Sequence, residues 1–470
     1  MQRRIESYEQ ALEFLYSRVN FERQSSAQYG LRDFQLDHMR QLLHRLGDPQ
    51  ERLPTVHIAG TKGKGSTAAM LASVLSAAGY RTGLFTSPHI THLEERFTID
   101  GRQPPPEELV EMVNQLAGVV QAMDELPGAM SPTYFEIVTA LGWLYFTRQQ
   151  AQIVVLEVGL GGRLDSTNVC RPNVCVITSI SRDHTRQLGH RVEQIAAEKG
   201  GIIKPGVPVV SGVLDLAAQG VIERLAAERG CRLIQAGREF SSQYHPGEPA
   251  PAGAACGWDH FDVELPPHRW TGLPLKLLGE HQARNGAMVL AVVSELRTQG
   301  WSLPDEAIGR GLREVQWPGR IEVLGEHPAI VVDGAHNWAA TAALVETLTQ
   351  RFQARRRVLV FAASRDKDVA GMVRQLYPVF DTVILTAFHN NPRNLPAEEL
   401  TRLCQALSCR YVHVANNSAA AWKLARRLAG PEDLICVTGS FFLAAELREQ
   451  ILEEERGGKP PIAVGESQHG

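Results

Sequence analysis

The opening residues place apolar side chains at helical steps. Tyr8, Leu12, Leu15 and Val19 recur every three or four positions, the spacing that lines one face of an α-helix. A polar stretch from Phe21 to Gly30 breaks the pattern, and a second helix is expected from about Gln35 through Met39, Leu42 and Leu43 to Gly47. The period then changes. TVHIAG is a short, nearly unbroken apolar run ending on glycine, which reads as a strand buried in a parallel sheet. Gly60 to Thr67 follows as a loop, Ala68 to Ala78 as a helix and RTGLFT as the next strand. Strand, glycine-rich loop, helix and strand together open an α/β nucleotide-binding domain.

The alternation continues. Glu107–Met123 and Tyr134–Phe146 read as helices, QIVVLEVG and NVCVITSI as strands, Glu193–Lys199 as a helix and GVPVVSG as a strand. Leu214–Arg229 is a further helix and CRLIQAG a further strand. From Glu239 to Leu278, Pro, Gly, His and Trp punctuate short alternating runs such as HFDVEL and LPLKLL. They read as an antiparallel patch added to the main sheet. A helix from His281 to Leu296 closes the first domain. After Trp317-Pro318-Gly319 a second alternation starts, with strands in AIVVDGAHN, RRVLVFAAS, DTVILTAF, RYVHVAN and DLICVTGS. Its helices are Ala339–Phe352, Val369–Leu376, Ala397–Leu407, Ala419–Leu428 and Phe441–Glu455.

The expected architecture is therefore α/β throughout. A P-loop-containing, mostly parallel sheet domain with a small antiparallel patch spans 1–317. A smaller Rossmann-like α/β domain spans 318–456, and the Gly/Pro-rich segment 457–470 reads as a disordered tail.

Composition narrows the function. The chain has 470 residues, 44% hydrophobic and 21% charged, with a net charge of −4, which is ordinary globular composition. It carries no basic field of the kind that holds nucleic acid. The N-terminus has charges throughout and no apolar signal core, and no run of apolar residues is long enough to span a membrane. Seven cysteines are scattered; the close pairs Cys170/Cys175 and Cys404/Cys409 lack flanking histidines and read as small buried residues in a reducing cytoplasm. The expectation is a cytoplasmic monomer acting on small molecules, with neither nucleic acid nor membrane as partner.

Chemistry concentrates in the loop Gly60-Thr61-Lys62-Gly63-Lys64-Gly65-Ser66-Thr67. Between strand and helix, its glycines let backbone N–H groups converge on a phosphate, and Lys64 can reach β- and γ-phosphate oxygens. It departs from the regular phosphate-loop pattern because Ile58 stands at the first glycine position and Gly65 separates Lys64 from Ser66. A plain strand–helix turn is the alternative, but two lysines in a buried turn are costly without an anion. Ser87 and His184 each follow a strand and Glu157 ends one, at strand C-termini where such sheets bind ligands, and the three could surround Mg²⁺ at nucleotide phosphates. Taken singly they read as a turn residue, a surface carboxylate and a loop histidine. Lys199 ends an apolar-faced helix; it is either a solvated lysine or, with a lowered pKa, an amine able to add CO₂. In the second domain, Arg320 could cover developing phosphate charge and Asp333 could take ribose hydroxyls; a surface ion pair and a helix start, with His336, are the plain alternatives. If both act on ATP, the nucleotide lies between domains and closure excludes water.

Together, HIAGTKGKGST, LFTSPHI, TYFEIVTAL, LEVGLGGRLDSTN, SISRDHTRQLGH, EKGGIIKPGVPVV, GEHQARNGA, WPGRIEV, VVDGAHN and VTGSFFLAAELR closely resemble the folylpolyglutamate synthase/dihydrofolate synthase family of the Mur ligase superfamily. The resemblance implies that Thr61, Lys62, Gly63, Lys64, Gly65 and Ser66 hold ATP phosphates, with Asn285, Arg320 and Asp333 as further ATP contacts. It implies that Ser87, Glu157, His184 and a carbamylated Lys199 serve two Mg²⁺ ions. Thr133, the turn Leu164-Asp165-Ser166 and the segment Leu31 to Asp33 match the pterin side, and Arg96, His336 and Ser440 are offered to the incoming glutamate. Lys64, Lys199, His184 and Arg320 would be the catalytic set. Gly200 and Gly286 stand where the family commonly has alanine, Gln243–Trp258 is longer than expected, and TSPH resembles the bifunctional bacterial enzymes.

The implied activity is ATP-dependent ligation. A folate-side carboxylate takes the γ-phosphate, the amine of L-glutamate attacks the acyl phosphate, and phosphate leaves. Two rivals differ in class. A peptidoglycan-type Mur ligase often carries a separate UDP-binding α/β domain before its phosphate loop, whereas a short, mostly helical stretch precedes it here. A P-loop switch protein that ligates nothing would not need Arg320 and Asp333 from a second domain.

Overall fold

The computed structural model describes residues 4–22, 36–126, 131–251, 257–389 and 391–457. Leu31 to Asp33 and the tail from 458 onward, both of which carried sequence expectations, lie outside the described residues. The chain divides into two compact units, one of residues 1–246 with 258–317 and one of 247–257 with 318–470. Gly247–Gly257, within the long segment expected to belong to the first domain, thus groups with the second.

The first unit is built on seven strands: β1 Thr55–Ala59, β2 Thr82–Phe85, β3 Phe97–Ile99, β4 Ile153–Glu157, β5 Val174–Ile177, β6 Val209–Ser211 and β7 Leu233–Gln235. Their order is β3-β2-β4-β1-β5-β6-β7. All pairs are parallel except β2–β3. β1 and β4 are buried at every position, as unbroken apolar runs in a two-sided sheet should be. On one face Val56 and Ile58 pack with the helices Lys64–Ala77 and Glu280–Thr298. On the other, Ala59, Cys175 and Ile177 pack with the helices Val192–Gly200 and Leu216–Glu228. The helices Tyr8–Tyr16, Leu36–Arg45, Pro106–Asp124 and Tyr134–Arg148 share a further core with Phe85, Val154 and Leu156.

Four strands follow: β8 Ser241–His245, β9 Ala250–Pro251, β10 Asp259–Leu265 and β11 His268–Leu275. The antiparallel patch is a separate sheet of order β11-β10-β8, not an extension of the main one. Its inward residues Phe261, Val263, Trp270 and Leu275 join the core around the Glu280–Thr298 helix.

The second unit holds β12 Glu322–Glu326, β13 Ala329–Val332, β14 Phe352–Gln353, β15 Arg357–Phe361, β16 Thr382–Leu385, β17 Val412–Val414 and β18 Leu434–Thr438. Six of them form one sheet of order β12-β13-β18-β15-β16-β17. Only the edge pair β12–β13 is antiparallel. β14 pairs with β9, which accounts for the grouping of 247–257, and the buried Arg351 gives hydrogen bonds to the carbonyls of Gly247 and Gly257.

Three elements escape the periodicity. β3 is only three residues, β12 is a half-exposed edge, and the helix Asp305–Glu314 carries Gly309 and Gly311 in its middle. A fourth difference bears on chemistry: the helix expected from Ala68 starts at Lys64.

Candidate active site

The phosphate loop is tied down before any ligand arrives. The Thr61 amide donates to the Ser179 carbonyl at 2.7 Å, and the Lys62 amide to Ser179 Oγ at 3.0 Å. The Lys62 ammonium reaches Asp183 Oδ2 at 2.6 Å. Gly63 caps the helix with φ 82°, a left-handed conformation that glycine adopts without strain. A Cβ there would lie 2.4 Å from Asn285 Oδ1. Lys64 to Thr67 therefore form the first helical turn, closed by the Thr67 amide donating to the Gly63 carbonyl at 2.9 Å, and the positive end of the helix dipole lies at Gly63 to Ser66. Ser66 Oγ accepts from Gln282 Nε2 at 3.3 Å, and Asn285 Nδ2 donates to Gln282 Oε1 at 2.9 Å. Gly65 admits Trp317: a Cβ would stand 2.6 Å from its Cζ2.

Charge converges on this turn. The Lys64 ammonium lies 4.0 Å from Glu157 Oε1. Glu157 is buried at the end of β4, and its Oε2 accepts from the Ser87 amide at 3.2 Å. Lys199 is buried, and its Nζ donates to the Gly60 carbonyl at 2.8 Å. Burial first, then repulsion from Lys64, lowers its pKa well below the ordinary lysine value, so the helix-end amine is not the solvated lysine of the plain reading. His184 lies on the same loop as Asp183, in a left-handed conformation with φ 49°, and its side chain is 40% exposed.

Glu157 and the Ser87 hydroxyl are hard oxygen donors of the kind Mg²⁺ takes. Lys199 offers no such donor as a free amine. Among the described residues no group of three or more His, Cys, Asp and Glu forms a metal cluster.

The turn after β4 is built around Asp165. Its Oδ2 accepts from the Leu160 amide at 2.8 Å, and its Oδ1 from the Thr167 amide at 3.0 Å and the Thr167 hydroxyl at 2.5 Å. Burial raises its pKa against those hydrogen bonds, and its carboxylate acts electrostatically on both Lys64 and Lys199. Leu164 and Ser166 flank it, half-buried. Thr133 caps the helix Tyr134–Arg148, exchanging hydrogen bonds with Glu136. Arg96 is 1% exposed and gives both terminal nitrogens to Glu22, at 2.9 and 2.6 Å, and Nε to His89 at 2.8 Å. It thus already grips a carboxylate.

In the second unit, Asp333 directly follows β13. It is buried, which raises its pKa; its carboxylate accepts from the amides of Ile321 at 2.9 Å and Ala335 at 2.7 Å. Arg320 stacks on the Phe441 ring at 4.1 Å and stands within electrostatic reach of Asp333. His336 Nδ1 lies 2.9 Å from the Gly334 carbonyl. Ser440 Oγ accepts from the Phe442 amide at 3.1 Å. Arg320, Asp333 and Phe441 form one group; Phe441 and His57 were not singled out in the sequence, where each looked like ordinary core.

Residues 58–293 match the Mur ligase middle domain family and residues 319–441 the glutamate ligase domain of Mur ligases. The chain is 35% identical over 418 residues to a dihydrofolate synthase/folylpolyglutamate synthase of Bacillus subtilis, covering 88% of this chain and 94% of that one. It is 36% identical over 430 residues to a folylpolyglutamate synthase of Lacticaseibacillus casei, covering 90% and 95%. A Mycobacterium tuberculosis folylpolyglutamate synthase solved with ADP and AMPPCP superposes with a TM-score of 0.84 at 30% identity, over 98% of this chain and all of that one. The Escherichia coli enzyme solved with DHPP and ADP gives 0.81 at 29% identity, over 97% of this chain and all of that one.

Proposed function

The chain belongs to the folylpolyglutamate synthase/dihydrofolate synthase family of Mur ligases and is an ATP-dependent glutamate ligase, and from that premise we propose how its own residues divide the work. The carrying observation is the packing of Lys64, Glu157, Lys199 and Asp165 around one helical turn. The backbone from Thr61 to Ser66 and the Lys64 ammonium bind the ATP phosphates, with Asn285 beneath the loop. Lys64 stabilises the charge that develops as the γ-phosphoryl moves to the acceptor carboxylate. In the second unit Arg320, stacked on Phe441, is a further ATP contact. Asp333, accepting two amides, takes ribose hydroxyls.

Ser87 and Glu157 would hold one Mg²⁺, and His184 and Lys199, the latter as a carbamate, a second; such ions would supply positive charge to offset that of the phosphates and the acceptor carboxylate. The chain's own part is to lower the Lys199 pKa, by burial and by Lys64, and to orient the amine through the Gly60 carbonyl. Leu164, Asp165, Ser166 and Thr133 bound the acceptor side. For the incoming L-glutamate, His336 and Ser440 are offered by the second unit, and Arg96 has the geometry for a carboxylate once Glu22 gives way.

No helix among the described residues is long and apolar enough to cross a membrane. The acceptor is dihydropteroate, a reduced folate, or both. The test is glutamate-dependent ADP formation with dihydropteroate and tetrahydrofolate in parallel, with and without Mg²⁺. ADP release that requires acceptor, glutamate and Mg²⁺ together supports the reading. Release with a UDP-sugar acceptor instead, or without any acceptor, overturns it.

A further inference from the structure

β1 reads TVHIA, and every position is buried. Val56 and Ile58 face the Lys64–Ala77 helix. By strand alternation His57 faces the opposite side, where Ala59 and Cys175 belong to an apolar cluster. His57 is 0% exposed, and a buried imidazole there costs desolvation that a leucine would not.

Its one hydrogen bond is to Thr167: Nε2 lies 2.9 Å from Thr167 Oγ1. The direction of that bond follows from chemistry. The threonine hydroxyl has one proton, and it lies 2.5 Å from Asp165 Oδ1, which has only acceptor character as a carboxylate. The hydroxyl therefore donates to Asp165 and accepts from His57, so Nε2 carries the imidazole proton. Nδ1 is then a bare acceptor, and it has no partner among the described residues. The histidine is thus placed for a single purpose, donation through Nε2. Three residues beyond His57 the same strand delivers Gly60, the start of the phosphate loop.

We infer that His57 is a positioning residue, which through Thr167 fixes the Asp165 carboxylate and with it the turn Leu164–Ser166 against the phosphate loop. The inference rests on the proposal that this turn bounds the folate-side acceptor. The relay sets the distance between acceptor and nucleotide by joining both to one rigid strand. A wet or mobile link would let the acceptor carboxylate drift from the γ-phosphorus.

The test compares steady-state KM values for acceptor and ATP in seven variants of the full chain. His57→Leu and Thr167→Val cut the relay; His57→Gln and Thr167→Ser keep its donor and hydroxyl. The first two are expected to raise acceptor KM at least fivefold and leave ATP KM within twofold. The conservative pair stays within twofold of the parent for both. The double variant His57→Leu/Thr167→Val should be no worse than the worse single, because the two act in series. Leu164→Ala and Ser166→Ala disturb the turn without touching His57. Unchanged acceptor KM in both overturns the acceptor-side reading of the turn, whatever His57 does. With those two raised, an acceptor KM within twofold in His57→Leu overturns the positioning role, as do multiplying effects in the double variant. Should His57→Leu fail to fold, His57→Met against His57→Gln decides the same question, one variant lacking the donor and the other keeping it.

Discussion

The Nζ of Lys199 donates to the carbonyl oxygen of Gly60 at 2.8 Å, fastening the end of the Val192–Gly200 helix to the first residue of the phosphate loop. The amine is buried and its pKa is lowered, by burial and by Lys64. A neutral amine is the form that adds CO₂. Lys199→Ala is expected to keep a cooperative thermal transition and lose about a hundredfold or more in kcat, the scale of losing a charge-stabilising group. Depleting bicarbonate from the parent should lower turnover in the same direction. Near-parental turnover in Lys199→Ala with saturating Mg²⁺ and bicarbonate would remove the carbamate from the mechanism.

Gly65 lies on the helical turn beneath Trp317, where a Cβ would stand 2.6 Å from Cζ2 of the indole. Gly65→Ala must shift the indole or the turn. Overpacking of this kind costs about 1–3 kcal/mol, and the displaced turn carries the amides proposed to bind phosphate. Urea denaturation should show the loss, and ATP KM should rise at least tenfold while acceptor KM changes less. Equal increases in both would mean that the turn serves more than the nucleotide.

Much of this site was legible as residue spacing. Unbroken apolar runs announced β1 and β4, and the residues at their ends, Gly60 to Ser66 after β1 and Glu157 closing β4, are where a doubly wound sheet places its chemistry. The start of the helix was not legible, because Gly63 and Gly65 look like loop until the left-handed cap at Gly63 shows that helix begins between them. The short strands β3 and β12 escape for a related reason: three residues, or a half-exposed edge, leave no period to read. The helix Asp305–Glu314 has a strong apolar face, but two central glycines argue against it locally. His57 was hidden in another way. A lone polar residue in an apolar strand looks like noise until Thr167, far along the chain, is seen against it. Likewise nothing in the segment 243–258 says that Ala250–Pro251 pairs with Phe352–Gln353, since such pairing is fixed by tertiary position.

Arg96 and Glu22 form a forked ion pair in which the arginine side chain is 1% exposed and the glutamate 35%. Removing the glutamate alone leaves a buried guanidinium whose remaining partners among the described residues are His89 and the ring of Tyr134. Loss of one partner of a fully buried pair costs about 3–5 kcal/mol; with Glu22 partly solvated, about 2 kcal/mol is expected for Glu22→Ala. Arg96→Met/Glu22→Ala should recover part of that loss, because the orphaned charge is gone. Urea denaturation of the parent, both single variants and the double variant measures the coupling. Simple additivity would show that the pair is screened and contributes little.

His57 supplies the pH dependence. Burial holds its imidazole down to about 3, against 6.5 for the free side chain. Below pH 6.5 the unfolded chain takes up a proton that the folded chain refuses, so protonation favours unfolding. The sign is that of a stability lost as pH falls, beginning near 6.5 and continuing towards 3. At pH 5 the unfolded state is favoured through this group by about 2 kcal/mol relative to neutral pH. His57→Gln has no titrating imidazole and should escape that part of the loss. Urea denaturation at pH 7.5 and pH 5 is therefore expected to show the parent falling about 2 kcal/mol further than His57→Gln. Other groups, such as Asp165 and Asp333 with their raised pKa values, titrate alike in both proteins and cancel in the comparison. Parallel losses in the two would mean that the imidazole takes up its proton in the folded state, and that the Nε2–H bond to Thr167 survives with both ring nitrogens protonated.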